Sequence, residues 1–370
     1  LKFVISGFYG LGNTGDEAIL EAIVDNLKAA YPNPDITVFS LNPEQTAKAH
    51  GVKAVYRAWR RENRAKWRAL READLLISGG GGLLQDAYPT KFLFGPLPYY
   101  LLIVLLAKLS GTKVMFFSQG IGPVTSRWGK FLMKLANLAN FITVRDAYSK
   151  VYLEQLGVTR PKTVVTADIV FAFQEKPDAT CHQSLSLQGG EKLVAVSVRP
   201  WFGRQLQFEQ MAEVLDALIE QRGITPVFVP MEGHHDWQAA EIVQAYMKHA
   251  DQTVMLGTSF TPNQYLNFIR GCEMTIGMRL HALIFSTIAG VPHIGFSYDK
   301  KVKSLLERSG MWAYSAELEA IAVPTIVAHA LHILDHREET ASVVLARASE
   351  LREEALKNVR LMQKQVLNTP

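Results

Sequence analysis

Residues 1–23, LKFVISGFYGLGNTGDEAILEAI, decide the fold. An apolar run, KFVIS, gives way after Ser6 to a turn holding Gly7, Gly10, Gly12 and Gly15, and a helical pattern follows at once. That order reads as strand, glycine turn and helix, a geometry in which the backbone can approach a ligand and the helix amino terminus attracts anions. The spacing is not GxGxxG, so the turn alone does not specify a dinucleotide. Asp16 and Glu17 open the helix. There a carboxylate either caps the helix and complements its dipole or, because it would repel phosphate, contacts sugar hydroxyls or acts as a base.

The same alternation continues outward. ITVFS, DLLIS, KVMFFS, FITVRD and TVVTAD are short strand-type runs separated by helical patterns, which implies a parallel sheet. A polar stretch from Gln174 to Glu191 interrupts the series as an interdomain linker does. KLVAVSVR, TPVFVP, TVMLG, EMTIG and PHIGFS then form a second parallel set, and Glu339 to Leu367 reads as a long helix. With 370 residues the chain exceeds one compact core, and 48% hydrophobic against 20% charged residues excludes a disordered or fibrous protein. The expected fold class is α/β, with two Rossmann-like domains facing a central cleft. An amino-terminal domain is expected over 1–175, a carboxyl-terminal domain over 190–335, and a helix over 336–370 packing back across both.

Ligands of open α/β sheets bind at the carboxyl ends of the strands, so the site is sought there. The third strand runs into SGGGGLLQD, where Gly79, Gly80, Gly81 and Gly82 exceed what a turn requires and imply close approach by a ligand, with Gln85 beside them. The next strand ends in SQGIGP, which offers Ser118 and Gln119 as donors or is simply a structural turn. In VRDAYS, Asp146 is placed to cap the following helix and leave Arg145 at the mouth of the cleft. The segment TIGMRLHALIFSTIAGVPHIGFSYDKKV carries Arg279 and His281 at the start of a helix that Gly290 closes, and Lys300 and Lys301 after the next strand. If those strands are neighbours, Arg279, His281 and Lys301 form a basic constellation with one proton carrier. Arg199 is a further anion-binding candidate, equally readable as a domain-interface ion pair. His234 and His235 are adjacent and without a second cluster, so no metal site is expected.

Net charge is +4, and the surplus concentrates between Lys53 and Arg71. Arg57, Arg60, Arg61, Arg64, Lys66, Arg68 and Arg71 are interleaved there with Trp59 and Trp67, as in a helix lying on anionic headgroups or as a solvated basic face. No nucleic-acid reading module accompanies them, so nucleic acid is not an expected partner. Phe92 to Ala107 is uncharged but interrupted by Gly95, Pro96 and Pro98 and short of the roughly 20 residues that span a bilayer; its second half reads as a buried helix. The opening residues lack the pattern of a secretory signal, and two cysteines, Cys181 and Cys272, are too few for a disulfide framework. A cytoplasmic protein, peripherally associated with the inner face of the plasma membrane, is the expectation.

Taken together, GNTGDEA, GGGGLLQD, SQGIGP, VRDAYS, GMRLHALIFS and YDKKV resemble the polysaccharide pyruvyl transferases over nearly the whole chain, and most of all their CsaB-like branch, which pyruvylates a secondary cell wall polysaccharide for surface-layer anchoring. The resemblance implies a fold similar to the GT-B glycosyltransferases, phosphoenolpyruvate as donor, N-acetylmannosamine on a lipid-linked precursor as acceptor, and no cofactor. It also implies roles: Arg279 and His281 match the Arg-Leu-His element, Lys301 or Lys300 the later lysine, Arg145 the arginine after the fifth strand, and Asp16 the acid of the glycine turn, where Asn13 also lies. Because fold does not fix chemistry, a GT-B glycosyltransferase or nucleotide-sugar epimerase is the alternative, and a non-catalytic carbohydrate-binding protein at the membrane a second.

Overall fold

The computed structural model describes residues 1–59, 61–86, 95–185, 190–200 and 205–369. Contacts divide the chain into two units, one made of Leu1–Gly12, Asp16–Gln174 and Leu351–Pro370, the other of Asn13–Gly15 and Glu175–Glu350.

The first unit runs β1 (Lys2–Ser6), α1 (Thr14–Ala30), β2 (Asp35–Ser40), α2 (Pro43–His50), β3 (Lys53–Tyr56), α3 (Asn63–Glu72), β4 (Leu75–Ser78) and β5 (Gly81–Leu84). It continues with α4 (Pro96–Leu109), β6 (Lys113–Ile121), α5 (Arg127–Met133), β7 (Phe141–Val144), α6 (Ala147–Gln155) and β8 (Lys162–Val165). Its sheet is parallel in the order β3-β2-β1-β4-β6-β7-β8, with β5 also paired to β6. Helices cover both faces, so the central strands LLIS and FITV are buried at every position and read as unbroken apolar runs.

The second unit holds α7 (Thr180–Ser184), β9 (Lys192–Ser197), α8 (Gln205–Arg222), β10 (Ile224–Phe228), α9 (Gly233–Tyr246), β11 (Val254–Met255), α10 (Pro262–Arg270) and β12 (Met274–Gly277). After these come α11 (Leu280–Ala289), β13 (His293–Ser297), α12 (Lys300–Arg308), β14 (Ala316–Glu317), α13 (Val323–Asp335) and α14 (Arg337–Leu361). The strand order β11-β10-β9-β12-β13-β14 is again parallel, and in both sheets it reverses beside the first strand of the unit. That reversal opens a crevice at the strand tips: between β1 and β4 in one sheet, between β9 and β12 in the other. Local chemistry agrees with the breaks. Asp146 caps α6 by accepting from the Ser149 amide at 2.6 Å, and Gly290 ends α11 in the left-handed region, φ 69°.

Several expectations change. The basic stretch from Lys53 to Arg71 is not one helix: Lys53–Tyr56 pair with β2 as a strand, and only Asn63–Glu72 are helical. Part of the glycine run is strand rather than loop, since β5 begins at Gly81. Residues 92–94 and Arg60 lie outside the described residues, as do 186–189 of the linker; α4 starts at Pro96, where a missing N–H costs nothing. The linker is docked, not free, because the Lys176 carbonyl accepts from Asn263 and Asn267 of α10. Through Glu350 α14 belongs to the second unit, and from Leu351 to the first. Among the described residues no helix is long and apolar enough to cross a membrane.

Candidate active site

At the crevice of the first sheet β1 and β4 are bridged by the Gly79 amide donating to the Ser6 carbonyl at 2.8 Å. The Tyr9 ring lies over this bridge: a β-carbon at Gly7 would overlap the ring and one at Gly79 its hydroxyl. Burial pushes the Tyr9 phenol well above its ordinary value, and the charges of Asp16, Glu17 and Asp168 add to the shift. Around it, Tyr9 Oη, Ser78 Oγ, Tyr100 Oη and Gln119 Oε1 are buried with no hydrogen-bond partner among the described residues, while the hydroxyls of Ser6 and Tyr99 are buried beside one another. Arg57 backs the group. Its guanidinium donates to the Gly7 carbonyl at 3.2 Å and sits 5.4, 5.0 and 5.3 Å from the ring centres of Phe8, Tyr99 and Tyr100.

The residues anticipated in this unit are sorted differently by the structure. Asp16 stands in the first turn of α1, its Oδ1 3.3 Å from where a β-carbon on Gly81 would be; the φ of +87° at that position favours glycine, and the tight approach adds to it. Gly79 and Gly80 admit close neighbours, Tyr9 and Ile19, while Gly82 and Gln85 face one another. Ser118 and Gln119 do not donate outward. The Ser118 hydroxyl donates to the Ala167 carbonyl and accepts from the Ile169 amide, both at 2.9 Å, and Gln119 Nε2 is spent on the Ser78 and Gly79 carbonyls. Nor is Arg145 at an open mouth: only 7% exposed, it pairs with Asp168 at 2.9 Å and Asp146 at 3.8 Å, and Gly120 is glycine because a β-carbon there would overlap its guanidinium.

The second crevice is ionic. Arg279, the N-cap residue of α11, is held by Asp236 of α9 through Nε at 2.9 Å and through Nη2, and by Glu232 at 2.5 Å. Asp236 is 1% exposed and also accepts from the Met231 and Glu232 amides at 3.0 and 2.9 Å. Burial disfavours the Arg279 charge, but Asp236 and Glu232 outweigh it and hold the guanidinium above its ordinary value. For Asp236 burial wins, raising the carboxyl above the usual range against the pull of Arg279. One strand away, Arg199 donates to Tyr298 Oη at 2.8 Å and lies 4.8 Å from that ring. Lys301 approaches the same ring at 5.9 Å and pairs with Asp299 at 3.4 Å, whereas Lys300 is exposed. β12 and β13 are adjacent, as the constellation required.

His281 is half-buried in the first turn of α11, and the segment Asn13–Gly15 packs on it. The Thr14 amide donates to the Met231 carbonyl at 2.9 Å, the Gly15 amide donates to Asn13 Oδ1 at 3.1 Å, and a β-carbon at Gly15 would overlap the imidazole. His234 contacts Gln238 on its own helix at 2.9 Å. Sequence reasoning missed Glu232, Asp236 and Tyr298 in this crevice and Tyr9, Arg57, Tyr99 and Tyr100 in the other.

The family model described as "Polysaccharide pyruvyl transferase" matches residues 13–300, from the glycine turn before α1 to the start of α12. The chain belongs to this family. It is therefore a pyruvyltransferase of polysaccharide biosynthesis, and the non-catalytic alternative falls away. A curated relative, the amylovoran biosynthesis protein AmsJ of Erwinia amylovora, is 25% identical over 95% of this chain and 96% of its own length. Among solved structures, a putative UDP-N-acetylglucosamine 2-epimerase of Listeria monocytogenes superposes with a TM-score of 0.69 at 12% identity, covering 100% of this chain and 97% of the other. The ADP-heptose lipopolysaccharide heptosyltransferase II of E. coli does so with 0.52 at 14% identity over 91% and 100%. Likeness at such identities shows the fold alone, two Rossmann-like halves of the GT-B type.

Proposed function

We propose that this pyruvyltransferase moves the pyruvyl group of phosphoenolpyruvate onto N-acetylmannosamine of a lipid-linked secondary cell wall polysaccharide precursor, forming a 4,6-ketal and releasing phosphate, as in the CsaB-like branch that serves surface-layer anchoring. The observation that carries the donor assignment is the meeting of Arg199 and Lys301 on the ring of Tyr298, just past the strand that neighbours the one leading to Arg279, with His281 in the first turn of the helix that Arg279 caps. A phosphate and a carboxylate on one small molecule repel one another, and several fixed cations offset that repulsion. Asp236 and Glu232 orient Arg279 before the donor arrives. Lys301 is preferred to the exposed Lys300, and Arg145, spent on Asp168, is assigned to positioning its own sheet.

His281 transfers the proton that the enol methylene carbon gains, leaving an oxocarbenium-like centre at the neighbouring carbon. An acceptor hydroxyl bonds to that centre and loses its proton. The C–O bond to phosphate then breaks, the second hydroxyl closes the ring, and its proton leaves with phosphate. Asp16 orients or deprotonates the acceptor. The buried hydroxyls and rings of the first crevice suit a neutral, hydroxyl-rich acceptor, as the second crevice suits a dianion. The reaction is tested by incubating the protein with phosphoenolpyruvate and an acceptor bearing N-acetylmannosamine and weighing the product. A gain of one ketal-linked pyruvate, with release of phosphate, is expected. Turnover of a nucleotide sugar with no such gain would overturn the assignment in favour of an epimerase or glycosyltransferase.

A further inference from the structure

Helices α3, α4 and α5 each connect strands that advance in the same direction across the first sheet, and right-handed crossovers place such helices on one face. Both α3 and α5 pack against α4, so the three make one layer. Of the basic residues expected at a membrane, Lys66 is not on its surface: its ammonium is buried and donates to the carbonyls of Arg57, Ala58 and Arg61, and Arg57 faces the crevice. What α3 does expose is Arg64, Trp67, Arg68 and Arg71, spaced as a single stripe.

The neighbouring helices carry features that the sequence reading left unused. On α4 the outward stripe is leucine: Leu102, Leu105 and Leu106 are half-buried and Leu109 is 69% exposed. On α5 Phe131 is 59% exposed and stacks on Trp128 with ring centres 5.4 Å apart, among exposed Arg127 and Lys130, with exposed Lys134 just beyond the helix. Neither α4 nor α5 contains a carboxylate, and Glu72, the one acid of α3, is paired with Lys2 at 3.2 Å. A leucine ridge between two basic, aromatic helices is the composition that settles at the boundary of headgroups and acyl chains.

We infer that the outer face of α3, α4 and α5 is where the first unit lies on an anionic phospholipid surface, with the leucines, Trp67 and Phe131 in the boundary and the arginines and lysines at the phosphates. The inference rests on the lipid-linked acceptor of the proposed function and adds the surface on which such an acceptor would be met. Charge argues against a second copy of the chain on this face, since two such surfaces would set arginine against arginine.

The full chain is spun with phosphatidylcholine vesicles that contain or lack phosphatidylglycerol. Sedimentation with the anionic vesicles only, weakened as salt rises, is expected. Leu109→Glu with Phe131→Glu, and separately Lys130→Glu with Lys134→Glu, should each weaken binding about tenfold or more. These side chains are exposed, so the unfolding temperature and transfer to a soluble acceptor should stay at the starting values. Wild-type binding by the variants would overturn the inference, as would failure of the unaltered chain to sediment, or a dimer in solution that Phe131→Glu dissolves. If vesicle binding follows the variants while no acceptor is pyruvylated, the membrane face stands and the proposed reaction does not.

Discussion

The two crevices share a strand order and differ in almost everything placed at it. Between β1 and β4 lie a buried tyrosine ring, serine and tyrosine hydroxyls without partners among the described residues, and an arginine enclosed by aromatic rings. Between β9 and β12 stand guanidinium and carboxylate groups already in contact, with an imidazole beside them. Topology therefore supplies a position and leaves its chemistry open. Polar atoms held apart from partners and ions held together are two ways of keeping a site ready, and they should respond oppositely to substitution.

The largest effect is expected at Arg279. Replacing it by leucine leaves Asp236 buried without its counter-charge and should cost about 3–5 kcal/mol in denaturant unfolding, along with donor affinity. Adding Asp236→Asn should restore much of the stability and none of the affinity; a stability loss near zero for the single variant would show the pair to be solvent-screened. His281→Ala should lower turnover by roughly 100-fold or more while phosphoenolpyruvate still binds, and ordinary turnover would remove the histidine from the chemistry. Gly15→Ala sharpens the point. Alanine favours the first turn of α1 by about 1 kcal/mol, yet its β-carbon would displace the imidazole, so a fall in turnover of about tenfold without loss of unfolding temperature is expected. In the other crevice the sign reverses: Tyr100→Phe removes a buried hydroxyl with no partner and should stabilise the chain by about 1 kcal/mol. A destabilised variant would mean that the hydroxyl is satisfied after all.

Much of the architecture was legible because it is local. Each long strand carried an apolar run, several helix ends carried a cap or a glycine, and β12 and β13 are the neighbours that a grouping of Arg279 with Lys301 requires. β3, β5 and β14 were missed: KAVY sits within a basic segment, GGLL within a glycine run, and β14 has only two residues. The partners of the site were hidden for another reason. Asp236 reaches Arg279 across 43 positions of sequence, and nothing in PMEGHHDW marks the acid rather than the histidines as the group that turns inward. Likewise Ser118 looks like a donor until the fold brings Ala167 and Ile169 to it.

The terminal helix sets a timetable. Asn358 is fully buried in the first unit, where its side chain reaches Thr166 and the Ala167 carbonyl, and further on Lys113 donates to the Val366 carbonyl while Tyr31 meets Thr369. On the ribosome these residues emerge after every strand of both sheets, so the first unit waits for the chain's last described turns before its core can close. Until then the surface that will receive Asn358, Met362 and Val366 is bare, and a nascent chain stalled anywhere within the second unit carries an unfinished first one.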